Sequence, residues 1–273
     1  MPKIPELLDM LKAGVHFGHR TSHWHPKMQP YIYGIRGGVH VIDVEKTQVA
    51  LERVLNYVEE LSARGGEILF VGTKSYMQNI AEKYAKEANM PYVNTRWLGG
   101  TFTNFPQIEK LIKNYLDLMD KREKGELKKY TKLEQLQFDR KIEELEEKIG
   151  GISTLKKLPE AIFVLDVRHD KTAIMEAKKS GIKVIGICDT NINPTLIDLV
   201  IPSNNDSVQA LNMMSRLISE AVKVGKARAK TAAADRKNRE EEIRVAVTAK
   251  ETVEDLDDQV KEQLAREKEE NKK

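Results

Sequence analysis

Short runs of apolar, often β-branched residues recur along most of the chain and alternate with stretches of helical periodicity. The runs are VHVID (39–43), EILFVG (67–72), YVNT (92–95), AIFVLD (161–166), KVIGIC (183–188) and LVIP (199–202). The helical stretches between them are 46–63, 75–89, 170–180 and 206–224. Continuously apolar runs are typical of parallel strands buried on both faces. The alternation therefore predicts an α/β protein with a doubly wound, mainly parallel sheet.

The alternation of predicted strands and helices is interrupted over residues 104–149. Two sets of apolar residues there have 4-3-4 spacing: Ile108, Ile112, Tyr115 and Met119, then Phe138, Ile142, Leu145 and Ile149. This spacing predicts a helical hairpin with a coiled-coil seam, inserted between two strands and ended by Gly150 and Gly151. Two ordinary helices packed on the sheet are the alternative, because each arm spans only about two heptads.

These patterns divide the chain into three parts. We expect an α/β core over 1–103 and 150–225 with a basic N-terminal extension, the hairpin over 104–149, and a charged tail over 226–273. The tail contains no Gly, Pro or aromatic residue. Its second half has few apolar side chains for packing, which predicts a solvated helix or a disordered segment.

The balance of 45 Lys and Arg against 42 Asp and Glu hides an uneven distribution. Residues 1–40 carry 5 basic and 2 acidic side chains and five of the six histidines. Since a nucleic acid needs positive charge only where it lies, a net charge of +3 is compatible with RNA binding.

Several classes of protein are disfavoured by composition. The lone cysteine, Cys188, excludes an internal disulfide and any multi-cysteine metal site. No apolar run is long enough for a membrane span, and the first residues are too acidic for a secretory signal. We therefore expect a soluble, cytoplasmic protein.

Phosphate-binding motifs are also missing, since neither G-x-x-x-x-G-K-[ST] nor G-x-G-x-x-G occurs. The nearest feature is the Gly72-Thr73-Lys74 turn between a predicted strand and helix. Such a turn can bind a phosphate of a nucleotide or of a nucleic-acid backbone. An ordinary strand-to-helix turn is the alternative.

Four histidines, at positions 16, 19, 23 and 25, suggest a metal site at first sight. Their spacings fit no zinc motif, and we expect no metal there. We expect instead a basic surface interleaved with rings that can stack on bases. The cations are Arg20, Lys27 and Arg36, and the rings are Trp24, Tyr31 and Tyr33. A packed loop with incidental aromatic residues is the alternative.

Asp166, His169, Asp170 and Asp189 follow two predicted strands, where open α/β sheets bind ligands. They support an enzyme hypothesis, and Asp189 with Asp206 could hold a divalent ion. Nothing supplies a nucleophile with its base and orienting group, however, and Cys188 is expected to be a buried hydrophobic residue.

The segment RWLGGTFTNF, from Arg96 to Phe105, combines one cation, two glycines and three aromatic rings. Arg96 can bind phosphate, and Trp97 can stack or pack. The sequence leaves an RNA contact and a packed junction at the base of the hairpin equally open.

Five blocks within residues 5–225 are distinctive in their order and spacing: LKAGVHFGHRTSHWHPKMQPYIYG, ILFVGTK, RWLGGTFTNF, LPEAIFVLDVRHDKTAIMEAKKSGIKVIGICDTN and VIPSNND. Together they resemble the bacterial small-subunit ribosomal protein two family. The resemblance implies a Rossmann-like (flavodoxin-like) domain with a protruding coiled-coil hairpin. It also implies a structural constituent of the small subunit, bound to 16S ribosomal RNA near the junction of head and body.

The implied partners are this RNA, neighbouring small-subunit proteins and, in bacteria that have it, the messenger-binding ribosomal protein one. We expect no catalytic residue, cofactor, metal, membrane or small-molecule substrate. From charge and expected exposure, we predict RNA contacts at His16, His19, Arg20, Trp24, Lys27, Arg36, Lys74, Arg96 and Trp97.

Two other functions remain as alternatives to the ribosomal one. The first is that of a cytosolic α/β enzyme acting on a phosphorylated small molecule. The second is that of a protein-interaction module that uses the coiled coil alone.

Overall fold

The computed structural model describes residues 2–231 and residue 239. A first compact unit ends at Lys226, and the fold given below is that of this unit. Residues 227–231 are helical. Most of the tail predicted over 226–273 lies outside the described residues, so its character stays a prediction.

A small antiparallel sheet precedes the main sheet. It follows helix α1 (Leu7–Lys12) and contains β1 (Phe17–Arg20), β2 (Ile32–Arg36) and β3 (Val39–Ile42) in the order β1-β3-β2. The prediction that 39–43 belongs to the parallel sheet was wrong. Gly37 and Gly38, with φ of 59° and 77°, form the kind of two-residue turn that folds β2 back onto β3 as a hairpin.

The main sheet has five parallel strands. They are β4 (Ile68–Val71), β5 (Tyr92–Val93), β6 (Ala161–Val164), β7 (Lys183–Cys188) and β8 (Leu199–Pro202), in the order β5-β4-β6-β7-β8. Every residue of β4 and β6 is buried, as expected for strands covered on both faces. The α/β fold class is confirmed, and all six predicted strands are present, five of them in the parallel sheet.

Helices cover both faces of this sheet. They are α2 (Val44–Ala63), α3 (Ser75–Ala88), α4 (Phe105–Glu123), α5 (Lys132–Ile149), α6 (Lys171–Lys179) and α7, which begins at residue 208. Alternate residues of β6 face different cores: Phe163 packs in the core of α2, α3 and α7, and Ile162 in that of α4, α5 and α6. No helix in the described part of the chain is long and apolar enough to cross a membrane.

Helices α4 and α5 pack against each other and are joined by residues 124–131. Their buried side chains are Ile108, Ile112, Tyr115 and Leu118 on α4 and Ile142, Leu145 and Ile149 on α5. The 4-3-4 spacing predicts Met119 as the last buried residue of α4, but Leu118 is buried instead. Met119 and Phe138 are partly buried and pack at the edge of the core. The chain leaves α5 through Gly151, where a Cβ atom would crowd the carbonyl oxygen of Tyr92 at 2.3 Å.

Candidate nucleic-acid interface

Charged side chains from distant parts of the sequence meet at the carboxyl edge of the main sheet. Lys74, which precedes α3, places its Nζ atom 2.6 Å from Oδ2 of Asp166, the residue two positions after β6. Asp166 is 1% exposed. Its Oδ1 accepts hydrogen bonds from the backbone N–H groups of Arg168 and His169, at 2.8 and 3.0 Å. Both oxygen atoms of this carboxylate are therefore engaged inside the protein.

The Lys74 ammonium is correspondingly committed to the protein. Burial lowers the pKa of Lys74, but the hydrogen bond and the charge of Asp166 outweigh burial, so that the pKa is raised overall. The Tyr76 hydroxyl lies 3.3 Å from the same Nζ atom. Lys74 is thus a charged structural partner, and a phosphate would have to compete with Asp166 for it.

His19, on β1, links two carboxylates across this edge. Its Nδ1 lies 3.1 Å from Oδ1 of Asp189, and its Nε2 lies 3.5 Å from Oδ2 of Asp206. Its backbone N–H donates to Oγ1 of Thr190 at 2.9 Å. The close approach needs Gly18, because a Cβ there would lie 2.6 Å from Cγ2 of Thr190. The hydrogen bond to Asp189 is the largest cause that raises the pKa of His19, which favours the imidazolium.

Asp170 and His169, which follow β6 and support the enzyme hypothesis, lie in different environments. Asp170 is buried and accepts a hydrogen bond from Oγ1 of Thr73 at 2.6 Å, and burial raises its pKa. His169 is exposed and lines a cavity of about 380 Å³ together with His19, Lys74 and Asp166. In the described part of the chain, no three His, Cys, Asp or Glu residues are grouped as a metal site requires. Cys188 is buried, as expected.

The basic residues of the N-terminal region have a different environment. Arg20, Lys27 and Arg36 are all exposed on or beside the small antiparallel sheet. Tyr33, on β2, is 81% exposed. Trp24 is half-buried, and its ring packs on His40 with 5.0 Å between centroids. These positions leave three cations and two rings at the surface.

His16 differs from its neighbours. Its ring packs on Phe17 at 4.0 Å between centroids, and its Nδ1 is buried without a partner among the described residues. Burial lowers the pKa of His16, so the neutral ring is favoured. This location makes His16 a poor phosphate ligand.

The RWLGGTFTNF segment is held by a residue that the sequence did not single out, Glu176 of α6. Its Oε1 accepts from Nε1 of Trp97 at 3.2 Å and from the N–H of Gly100 at 2.8 Å, and its Oε2 accepts from the N–H of Phe102 at 3.0 Å. Burial raises the pKa of Glu176, but these hydrogen bonds outweigh it and the pKa is lowered.

Trp97 is buried and packs edge-on against Phe102, so its ring serves the packed junction, one of the two roles left open by the sequence. Arg96 is exposed. The signal for Glu176 was present in the sequence, since it is the acidic residue on the otherwise apolar face of α6 formed by Ala173, Ile174 and Ala177.

Comparison with known proteins assigns the class. Residues 10–225 match the family model described as Ribosomal protein S2, so the chain belongs to the ribosomal protein S2 family. It is similar to the small ribosomal subunit protein uS2 of Hahella chejuensis, with 46% identity over 213 residues, which cover 78% of this chain and 84% of that protein. The resemblance and the structural role in the small ribosomal subunit are confirmed at this level.

Proposed function

We propose that this chain acts in the small ribosomal subunit as a non-catalytic scaffold that binds 16S ribosomal RNA through its exposed N-terminal cations. The observation that carries the proposal is the contrast in charge environment. Arg20, Lys27 and Arg36 are exposed, whereas Lys74 and His19 are engaged by internal carboxylates. Exposed cations near rings are what an RNA backbone and its bases require.

The candidate contacts divide accordingly. The proposed RNA surface consists of the exposed cations and the half-buried Trp24 ring beside them: Arg20, Trp24, Lys27, Arg36 and Arg96. The other four candidates have positioning roles in this proposal. Lys74 and His19 tie the strand ends together, His16 supports the base of β1, and Trp97 anchors the segment that carries Arg96.

The main sheet is proposed to be a Rossmann-like (flavodoxin-like) scaffold without nucleotide chemistry. The strand order β5-β4-β6-β7-β8 supports this class, because a doubly wound sheet of flavodoxin type has its first two strands exchanged in the same way. Lys74, the phosphate ligand that the sequence suggested at this edge, is already paired with Asp166, which favours a scaffold over the enzyme alternative.

The α4–α5 pair is proposed to be a coiled-coil hairpin that reaches a second RNA segment or a neighbouring protein. Its facing apolar residues, Ile112 and Tyr115 on α4 and Ile142 and Leu145 on α5, support this reading. Further proposed partners are neighbouring small-subunit proteins and, where a bacterium has it, ribosomal protein one. The proposed location is the cytoplasm.

The test is incorporation into small subunits. Cells expressing the Arg20→Glu/Lys27→Glu/Arg36→Glu variant are lysed at low salt, and the chain is followed across a sucrose gradient. We expect the wild-type chain to sediment with small subunits and the variant to shift towards the top. A control with the same charge change, Arg64→Glu/Lys156→Glu/Lys179→Glu, uses exposed residues elsewhere and should co-sediment. Wild-type chain found only at the top would overturn the proposal.

A further inference from the structure

We propose that a backbone phosphate of the bound RNA occupies a second cavity, at the carboxyl ends of β6 and β7, with Arg168 and Lys171 as its cationic ligands. This inference rests on the proposed function and names a binding site for it. The cavity has a volume of about 390 Å³ and lies between the segment 23–25, the start of α6 and the loop 191–196. None of the described residues that line it is acidic.

The two cations are available to a ligand. Arg168 and Lys171 are exposed. Within residues 2–231, neither side chain forms an ion pair or a hydrogen bond, in contrast to Lys74 beside Asp166. An unpaired guanidinium and an ammonium at one concave site attract an anion, and a guanidinium can bind a phosphate through two parallel hydrogen bonds.

The carboxylates beneath the cavity do not cancel this charge. Asp166 is neutralised by Lys74 at 2.6 Å and is turned towards the backbone N–H groups of Arg168 and His169. Asp170 is buried against Thr73, and its burial disfavours the charged form. Asp206 lines the neighbouring cavity together with Arg168, but its carboxylate lies 3.5 Å from Nε2 of His19 and 3.9 Å from Nζ of Lys74. Arg168 and Lys171 therefore remain the cationic side chains that line the proposed phosphate site.

Two further side chains fit a nucleotide. Trp24, which packs on His40, also lines the cavity and offers an aromatic surface to a base beside the phosphate. His25 accepts a hydrogen bond from the N–H of Lys27 through Nδ1, at 3.2 Å. The proton of the neutral ring is then on Nε2, which can act as a donor.

An RNA strand suits this cavity better than a free phosphate compound. Small phosphorylated ligands are usually held by several backbone N–H groups at a strand-to-helix turn, and here the N–H groups of Arg168 and His169 already donate to Asp166. Side-chain cations beside an accessible ring are instead the arrangement used for nucleic-acid strands. Because the chain belongs to a ribosomal protein family, we take this nucleic acid to be ribosomal RNA.

The test compares two variants of the full-length chain with equal charge change. The first is Arg168→Gln/Lys171→Gln. The matched control is Arg64→Gln/Lys179→Gln, two exposed residues at the C-terminal ends of α2 and α6, away from the cavity. Binding to purified small-subunit ribosomal RNA is measured over a series of KCl concentrations, and thermal unfolding confirms that both variants fold.

We expect the first variant to bind about tenfold more weakly at moderate salt, and the slope of log K against log salt to become shallower by about 0.7 to 0.9, as for one phosphate contact. The control should keep the wild-type slope. Trp24→Ala should weaken binding by about fivefold or more, and Trp24→Phe should restore most of the affinity.

Three results would overturn the inference. The first variant could bind RNA with the wild-type slope. It could lose binding only to inorganic phosphate or ATP, which would identify a small-anion site. It could bind RNA normally but fail to join small subunits, which would identify an acidic protein as the occupant. If the wild-type chain itself did not bind the RNA, the proposed function would fail as a whole.

Discussion

Two regions of this protein carry similar charged side chains and use them in opposite ways. At the carboxyl edge of the main sheet, Lys74 and His19 face carboxylates that are almost inaccessible to solvent, Asp166 and Asp189. On the small antiparallel sheet, Arg20 and Arg36 extend into solvent. Removing one partner of a pair that contains a buried carboxylate costs stability, and a ligand must compete with that carboxylate for the cation, whereas an exposed cation adds little to folding and is free to bind. Mutations in the two regions should therefore separate stability from RNA binding.

The largest effect on stability is expected at Asp166. Replacing it with Ala removes the partner of Lys74 and leaves the N–H groups of Arg168 and His169 without an acceptor. We expect Asp166→Ala to lower the free energy of unfolding by about 3 kcal/mol, measured by urea denaturation. Asp166→Asn, which keeps an acceptor, should cost less. Equal stability of Asp166→Ala and wild type would contradict the structural role of this pair.

A somewhat smaller effect is expected at Glu176, which links α6 to the segment around Trp97 and Phe102. Glu176→Ala leaves the Trp97 indole N–H and the N–H groups of Gly100 and Phe102 unpaired. We expect a loss of about 2–3 kcal/mol, with a red shift of Trp97 fluorescence as the ring becomes solvated. Trp24 also emits, so the shift is measured against Trp97→Phe. An unchanged spectrum in the Glu176→Ala variant would show that the segment is held by other contacts.

The pH dependence of stability should report His19. Its pKa is raised in the folded protein, so its contribution is fully present below the ordinary value near 6.5 and is lost as pH rises through the folded pKa. We expect the free energy of unfolding of the wild-type protein to exceed that of His19→Gln by about 1 kcal/mol near pH 5.5 and by less near pH 8.5. Comparing the two proteins cancels His16, whose pKa is lowered and whose effect has the opposite sign. A difference that does not vary with pH would rule out a charged His19.

The smallest effect on stability should come from the exposed cations. Replacing Arg20, Lys27 or Arg36 with Gln should change the free energy of unfolding by no more than about 0.5 kcal/mol each. The triple Gln variant should nevertheless weaken ribosomal RNA binding, with a shallower salt dependence. If the triple variant lost as much free energy of unfolding as Asp166→Ala, the two regions would not differ in their contribution to stability.

How far the site could be predicted differs from residue to residue. The sequence makes Lys74 a candidate phosphate ligand and Asp166 a candidate enzyme residue, and the structure joins them at 2.6 Å. Their 92-residue separation hides the pairing, because contacts across parallel strands depend on sheet order. The role of Glu176 is not predicted, although the sequence shows this acidic residue on an apolar helix face. Arg168 and Lys171 were not singled out, because they lie beside aspartates whose charge is compensated elsewhere.

By itself the sequence determined the α/β class, five of the parallel strands, the two helices over 104–149 and the family. Those features depend on local periodicity, on apolar runs and on blocks of residues that can be compared directly. Only the tertiary structure decided that 39–42 belongs to a separate antiparallel sheet, that Trp97 is buried, and which charges are paired. Burial and pairing arise when segments far apart in sequence pack together. The same side chain can therefore be a ligand or a structural partner, depending on what packs beside it.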